Sequence, residues 1–127
     1  MHILIVDDQS TMRNLIRGML GKMGFRDMDE AEDGDVALNK CKQKPFDLVI
    51  SDLHMPRMSG LEFLKKARNT EGLKNTPFLM VTTESSKPAV LEAVKFKVNG
   101  YIVKPFTAEI LQEKLLKIGI EPEGKAS

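Results

Sequence analysis

Hydrophobic residues along the chain alternate between short unbroken runs and longer segments with helical spacing. The short aliphatic or β-branched runs begin at five positions: Ile3, Met28, Leu48, Phe78 and Tyr101. After each run, apolar residues recur every three or four positions, which predicts an amphipathic helix. Runs that are almost wholly apolar indicate strands buried on both faces, with right-handed helical crossovers between them. The pattern therefore predicts a three-layer α/β fold around a doubly wound, five-stranded parallel sheet.

Caps and inward faces can be assigned to several of the predicted helices. Ser10 or Thr11 can cap the first helix, and Gly24 can end it. Pro88 suits the first turn of the fourth helix, which the apolar spacing extends to Val98. The residues expected to face the core are Met12, Leu15, Ile16, Met19, Leu20 and Met23 in the first helix, and Ile110, Leu111, Leu115 and Ile118 in the fifth, which Thr107 caps.

Composition limits the classes of protein that this chain can represent. Its 127 residues, 42% of them hydrophobic, suit one domain, which we place at residues 1–120 with a frayed tail at 121–127. A net charge of +1 gives no field that favours nucleic acid or a membrane surface. The apolar runs are too short for a bilayer span, and the first residues are not expected to act as a secretory signal. The lone Cys41 is expected to pack in the core of a cytoplasmic, monomeric protein.

Charged and hydroxyl side chains stand where the predicted strands end. Asp7 and Asp8 follow the first strand, Asp52 ends the third, Thr82 follows the fourth and Lys104 ends the fifth. Ligands of such sheets bind beyond the carboxyl ends of the strands, so we expect these side chains to converge there. Three carboxylates would repel one another without a cation, and a hard divalent ion such as Mg²⁺ prefers oxygen ligands. Taken singly, each residue could instead belong to an ordinary ion-pair network.

A carboxylate in this setting can also attack phosphorus and form an aspartyl phosphate. Asp52 is the best placed of the three for this reaction. Phosphoryl transfer needs mainly positioning and charge neutralisation, which a metal ion, the Lys104 ammonium and the Thr82 hydroxyl can supply without a separate general base.

Four segments on these strand ends resemble the receiver domains of two-component response regulators. They are ILIVDD at residues 3–8, SDLHMPRMSG at 51–60, VTTE at 81–84 and GYIVKPF at 100–106. Further segments, at residues 10–13, 30–34 and 37–40, are most similar to the single-domain chemotaxis regulators of that family, and the resemblance spans essentially the whole chain. It implies a flavodoxin-like fold with strand order 2-1-3-4-5.

The resemblance also implies the chemistry of the site. Asp52 would accept a phosphoryl group from a histidine kinase of the chemotaxis type. The Mg²⁺ ligands would be Asp8, Asp52 and the backbone carbonyl of His54, with Asp7 assisting through water. Thr82 and Lys104 would contact the phosphoryl oxygens, and the Lys104–Pro105 bond would be cis.

The same family pattern suggests a switch and a partner. Phosphorylated Asp52 would draw in the Thr82 hydroxyl, and Tyr101 would rotate into the vacated space. The altered surface would comprise helix four, strand five and helix five, with the contact residues Lys87, Val90, Val94, Tyr101 and Lys114. The implied partner is the flagellar motor switch protein, and a phosphatase is a further possible partner. Alternatives are a phosphorelay or phosphate-sink receiver that does not touch the motor, a core role for the two valines, and an ordinary strand aromatic at Tyr101.

Two positions and one segment depart from the pattern or stay open. His54 stands where relatives usually carry Asn, so its ring could alter the lifetime of the phosphoryl group in a pH-dependent way, or face solvent without effect. Phe96 could be an exposed contact or fold back onto the core. The acidic residues Asp27, Asp29, Glu30, Glu32, Asp33 and Asp35 are interpreted as a solvated face near a helix start.

Other functional classes fit the residues less well. A phosphatase of the haloacid dehalogenase type would carry a second Asp where His54 stands. A flavin-binding module would need a loop rich in Ser, Thr and Gly after the first strand, in place of Asp7 and Asp8. A DNA-binding regulator would need a further domain beyond the fifth helix.

Overall fold

The computed structural model describes residues 1–122, in which strands and helices alternate regularly. The strands are β1 (His2–Val6), β2 (Asp27–Ala31), β3 (Leu48–Ser51), β4 (Phe78–Thr82) and β5 (Gly100–Val103). The helices are α1 (Ser10–Met23), α2 (Gly34–Gln43), α3 (Gly60–Arg68), α4 (Lys87–Lys95) and α5 (Ala108–Lys117). The predicted α/β alternation is confirmed. The tail predicted at 121–127 lies, from residue 123 onward, outside the described residues.

The five strands form one parallel sheet in the order β2-β1-β3-β4-β5. Alternate residues of each strand point to opposite faces. Leu4 and Val6 of β1 therefore pack in one hydrophobic cluster with α2 and α3, and Ile3 and Ile5 pack in a second cluster with α1 and α5. The sheet is thus covered on both faces, and the predicted doubly wound order is confirmed.

The predicted caps hold for some helices and fail for others. Gly24 ends α1 at φ 109°, and Thr107 accepts a hydrogen bond from the Ile110 amide, as expected. The N-cap of α1 is Gln9, so the prediction of a Ser10 or Thr11 cap is wrong. The Gln9 amide donates instead to Asp7 Oδ1 at 2.9 Å, which shapes the turn between β1 and α1.

The fourth helix ends at Lys95, three residues before the predicted end at Val98. Lys97 adopts a left-handed φ of 62°, which stops the helix. Arg68 then satisfies the carbonyl groups left free, donating to those of Phe96 at 3.1 Å and Lys97 at 2.8 Å. Phe96 is half-buried and folds back onto the core cluster, and the Lys65 ammonium lies 5.0 Å from the centre of its ring. The alternative of an exposed contact residue is therefore wrong.

The predicted inward stripes of α1 and α5 are each too wide by one residue. Leu15 is 48% exposed and Ile110 is 41% exposed. Each directly precedes a buried residue, Ile16 or Leu111, and one residue along a helix turns the side chain by about 100°. Leu15 and Ile110 therefore do not face the core.

Three of the six acidic residues are paired with basic side chains and at least half-buried, so the interpretation of the segment as a solvated face is wrong for these three. Asp29 lies 2.6 Å from the Lys44 ammonium, and Glu30 accepts from Arg13 at 2.8 Å. Asp33 is fully buried, where it caps α2 and receives the guanidinium of Arg57 at 2.6 Å. The remaining members are exposed: Asp27, Glu32 and Asp35.

Cys41 is buried, as predicted, and burial raises the pKa of its thiol to about 11. The thiol therefore stays protonated at neutral pH, which fits a packing role. No helix within residues 1–122 combines the length and apolar character needed to cross a membrane.

Gly18 gives a stability prediction because it weakens α1 without any packing reason inside the chain. It is exposed, and an added Cβ would meet no atom within 4 Å. Alanine at an exposed helix position is about 1 kcal/mol more favourable than glycine. We expect Gly18→Ala to raise the free energy of unfolding by about that amount, measured by urea denaturation. An unchanged or lower unfolding midpoint would contradict this expectation.

Candidate functional site

Three aspartates meet at the carboxyl edge of the sheet. Asp7 and Asp8 follow β1 directly, and Asp52 follows β3. The register pairs Val6 with Ser51, so the two chain segments leave the sheet side by side. One carboxylate oxygen of each aspartate lies within 4.8 Å of the others. The predicted convergence is thus observed, and the oxygen donors suit a hard divalent cation.

Lys104 brings a positive charge to the same point. It follows β5, its peptide bond to Pro105 is cis as the resemblance implied, and its amide donates to the Thr82 carbonyl at 2.8 Å. Its ammonium lies 2.9 Å from Asp7 Oδ2 and 3.4 Å from Asp52 Oδ2. One ammonium facing three carboxylates leaves an excess of negative charge, so a cation would be attracted to this cluster.

The Asp7 carboxylate is almost completely buried, with 2% of its surface exposed. Burial raises its pKa above the ordinary value, and the charge of Asp52 acts in the same direction. The Gln9 amide and the Lys104 ammonium oppose this rise without cancelling it. A metal ion nearby would stabilise the charged form of this buried carboxylate and so oppose the rise in its pKa.

The backbone around Asp52 is held closely. Its carbonyl accepts from the Ser51 hydroxyl at 2.8 Å, and its Oδ1 accepts from the Leu53 amide at 2.7 Å. The Gly60 amide, at the start of α3, donates to the Leu53 carbonyl at 2.8 Å. A Cβ at Gly60 would overlap the Asp52 carbonyl oxygen. Only glycine therefore allows α3 to begin this close to the site.

The loop between β3 and α3 is fastened to the start of α2. Arg57, in a left-handed conformation at φ 66°, donates from Nε to Asp33 Oδ2 at 2.8 Å. The Gly34 amide donates to the Met58 carbonyl at 3.1 Å, and Met58 itself is buried. This loop carries His54, whose backbone carbonyl is a predicted metal ligand.

Thr82 and Tyr101 are linked through one residue that the sequence analysis did not single out, Glu84. Thr82 is fully buried, and its hydroxyl accepts from the Glu84 amide at 3.3 Å. The Tyr101 hydroxyl donates to the Glu84 carbonyl at 2.7 Å. Burial raises the pKa of Tyr101, and the charges of Glu84 and Asp52 add to the rise. The phenol therefore remains a hydrogen-bond donor at neutral pH.

His54 also contacts Glu84. Its Nε2 lies 3.0 Å from Glu84 Oε1, although the His54 side chain is 64% exposed. Hydrogen bonds from Ser86 and His54 lower the pKa of the Glu84 carboxyl. The sequence could have indicated a role for Glu84, because it stands two residues after Thr82 in the family-like segment at residues 81–84. Nothing in the sequence paired it with His54, 30 positions away.

The residues predicted to contact a partner differ in their exposure. Val94 is 56% exposed, so a core role for it is wrong, and Leu91 beside it is 57% exposed. Lys87 is exposed, whereas Val90 and Lys114 are half-buried. The face therefore combines apolar side chains with lysines, but its most exposed apolar residue, Leu91, was not among the predicted contacts.

Comparison with known proteins places the chain in a family. The model of the response regulator receiver domain matches residues 3–116. The chemotaxis protein CheY-3 of Vibrio cholerae is 50% identical over 118 residues, which cover 93% of this chain and 91% of the relative. The chemotaxis protein CheY of Pseudomonas aeruginosa is 48% identical over 118 residues, covering 93% and 95% respectively.

The fold of a solved relative agrees with the architecture described above. The structure of the chemotaxis protein CheY4 of Vibrio cholerae superposes with a TM-score of 0.85 at 38% identity, covering 92% of this chain and 97% of that one. The sheet order, the cluster of aspartates at its carboxyl edge and these matches lead to one conclusion: the chain belongs to the response regulator receiver family, as a chemotaxis receiver domain of the CheY type.

Proposed function

We propose that this receiver is switched by phosphorylation of Asp52 and signals by binding a partner. The observation that carries the proposal is the meeting of Asp7, Asp8, Asp52 and Lys104 at one sheet edge. Phosphoryl transfer requires a reactive carboxylate, oxygen ligands for a metal ion and a fixed cation, and these four residues would supply all three.

In the proposed reaction, a carboxylate oxygen of Asp52 attacks the phosphorus of a phosphohistidine on a kinase. The bond from phosphorus to the donor nitrogen breaks, its electron pair stays with the imidazole, and an aspartyl phosphate forms. Attack of water on phosphorus later returns the carboxylate and releases inorganic phosphate. The protein acts on itself and turns over no external substrate.

Asp8, Asp52 and the His54 carbonyl would hold Mg²⁺, and Asp7 would assist through water. When bound there, Mg²⁺ would neutralise charge on the phosphoryl oxygens. The Lys104 ammonium, already beside Asp52, would contact one of those oxygens, and the Thr82 hydroxyl would donate to another.

The signal would pass through Thr82 and Tyr101 to the face formed by α4, β5 and α5. Thr82 and Tyr101 both bond to the Glu84 backbone, so a shift of the Thr82 hydroxyl would move the carbonyl that accepts from Tyr101. The partner that we propose for this face is the flagellar motor switch protein, because the relatives of this chain are chemotaxis proteins. The exposed apolar and lysine side chains there suit a protein partner.

The deciding experiment uses acetyl phosphate as the donor and intact mass as the readout. We expect one phosphoryl group per chain when Mg²⁺ is present and none after chelation. Asp52→Asn should remove the adduct, whereas Asp27→Asn, at an exposed aspartate outside the site, should keep it. An adduct that persists in Asp52→Asn would overturn the assignment of the phosphorylated residue.

The same samples separate the two candidate roles of the switch. A motor-switch peptide should bind more tightly to the phosphorylated chain than to the unphosphorylated one. Equal affinity, with the adduct present, would favour the phosphorelay or phosphate-sink alternative over the motor-binding role.

A further inference from the structure

Glu84 contacts four residues near the proposed phosphorylation site. It lies in the loop between β4 and α4, and each of its polar groups has a different partner. Its amide donates to Thr82 and its carbonyl accepts from Tyr101. Its carboxylate accepts from the Ser86 amide at 3.3 Å through Oε2 and contacts His54 at 3.0 Å through Oε1. The position of this one residue therefore fixes where the acceptor of Tyr101 lies.

The contact with His54 ties the β4–α4 loop to the loop that follows Asp52. Without it, the Glu84 carboxylate would be held only by Ser86, a residue of its own loop. Among the residues that the structure describes, His54 is the only one outside the loop that contacts this carboxylate. The imidazole can donate from Nε2 in its neutral form, so this bond does not require a charged ring.

We propose that His54 is a positioning residue for Tyr101. Through the Glu84 carboxylate it holds the loop where the Glu84 carbonyl accepts the Tyr101 hydroxyl, so that this position of Tyr101 is populated before Asp52 carries a phosphoryl group. The inference deepens the proposed function, on which its consequence for signalling rests. An exposed pair of this kind changes the equilibrium between two positions of a side chain by about twofold. His54 therefore favours the hydrogen-bonded position of Tyr101 without holding Tyr101 there permanently.

The bias has a direction that follows from the contacts. Without His54, the Glu84 carboxylate loses its contact with the loop that follows Asp52. The β4–α4 loop and the Glu84 carbonyl would then move more widely. Tyr101 then spends less time in the hydrogen-bonded position and more time in solvent. Phosphorylation would have a larger rearrangement left to produce, and the unphosphorylated chain would bind its partner more weakly.

Tyr101 can be observed directly, because the chain has one tyrosine and no tryptophan. Its intrinsic fluorescence and the quenching of that fluorescence by acrylamide report the exposure of this ring alone. We would compare the native chain with His54→Ala, Glu84→Ala and the double variant, without Mg²⁺ or phosphodonor. His54 is exposed and Glu84→Ala keeps the carbonyl, so all three are expected to fold, which circular dichroism checks.

Each single variant should raise the quenching constant of Tyr101, with an underlying equilibrium shift of about twofold. The double variant should show no rise beyond that of Glu84→Ala, because Glu84→Ala already removes the contact with His54 along with the hydrogen bond from Ser86. Glu84→Gln, whose amide oxygen still accepts from His54, should stay near the native value. His2→Ala is the matched control, because it removes the other histidine, at the end of β1 that is farther from Asp7. It should leave the quenching unchanged.

Unchanged quenching in His54→Ala, or additive effects in the double variant, would overturn the proposal. Because no phosphodonor is present, the result is independent of the acetyl phosphate experiment. A chain that forms the adduct but has no His54–Glu84 coupling keeps the proposed function and loses this inference. A chain that has the coupling but no adduct keeps the positioning role of His54 and loses the phosphorylation switch.

Discussion

Replacing Gly60 by alanine will lower the free energy of unfolding by about 3 kcal/mol. The new methyl group would overlap the Asp52 carbonyl oxygen and press on the Leu53 Cα. Both neighbours are backbone in a buried turn, so they cannot move aside as the end of a flexible side chain would. The start of α3 must shift instead, which strains the 2.8 Å hydrogen bond from the Gly60 amide to the Leu53 carbonyl.

Urea unfolding followed by circular dichroism measures this loss. Gly18→Ala is the matched control, since it makes the same chemical change in open space and should stabilise the fold. We also expect Gly60→Ala to be phosphorylated more slowly by acetyl phosphate, because the displaced turn carries Asp52. If the variant unfolded at the native midpoint, the start of α3 could move away from Asp52 without loss of stability. The close contact between Gly60 and the Asp52 carbonyl would then not matter for the fold.

Asp7→Asn is expected to stabilise the metal-free protein at neutral pH while weakening Mg²⁺ binding by at least about tenfold. Burial raises the pKa of Asp7 in the folded state. The favourable contribution of its protonated form is therefore complete below the ordinary pKa of 3.8 and is lost as pH rises through the raised value. At neutral pH the ionised carboxylate opposes folding, and the neutral amide does not.

The stabilisation should consequently disappear in acid, below pH 3.8, where Asp7 is protonated in both the folded and the unfolded chain. Thermal unfolding at a series of pH values, with and without Mg²⁺, tests both parts. Excess Mg²⁺ should raise the melting temperature of the native chain more than that of the variant. A variant less stable than the native chain at neutral pH would show that the 2.9 Å contact with Lys104 outweighs the cost of burying the carboxylate.

The parallel sheet explains why so much of this site could be predicted from the sequence. The carboxyl ends of its strands meet at one edge, so Asp7, Asp8, Asp52 and Lys104 were expected to converge once the strands were placed. The apolar runs placed them, since buried parallel strands are nearly continuous in hydrophobic residues. The strand order itself came from the family resemblance and not from the residues.

The contacts that sequence reasoning missed join loops that are distant along the chain. The pairing of His54 with Glu84 depends on how two loops pack above the sheet, and no periodicity encodes that geometry. The burial of Asp33 beneath Arg57 has the same origin, because an acidic segment seen alone resembles a solvated surface. The early end of α4 depends on the left-handed conformation of Lys97, and a lysine in a sequence gives little indication of that conformation.

The two hydrophobic clusters on the faces of the sheet have a consequence for how such proteins diversify. Neither cluster includes Lys87, Leu91 or Val94. Substitutions at exposed positions of this kind usually change stability by no more than about 0.5 kcal/mol. Duplicated copies of such a gene could therefore acquire new binding specificities through a few mutations on this face, while selection continues to preserve the same core and the same cluster of aspartates.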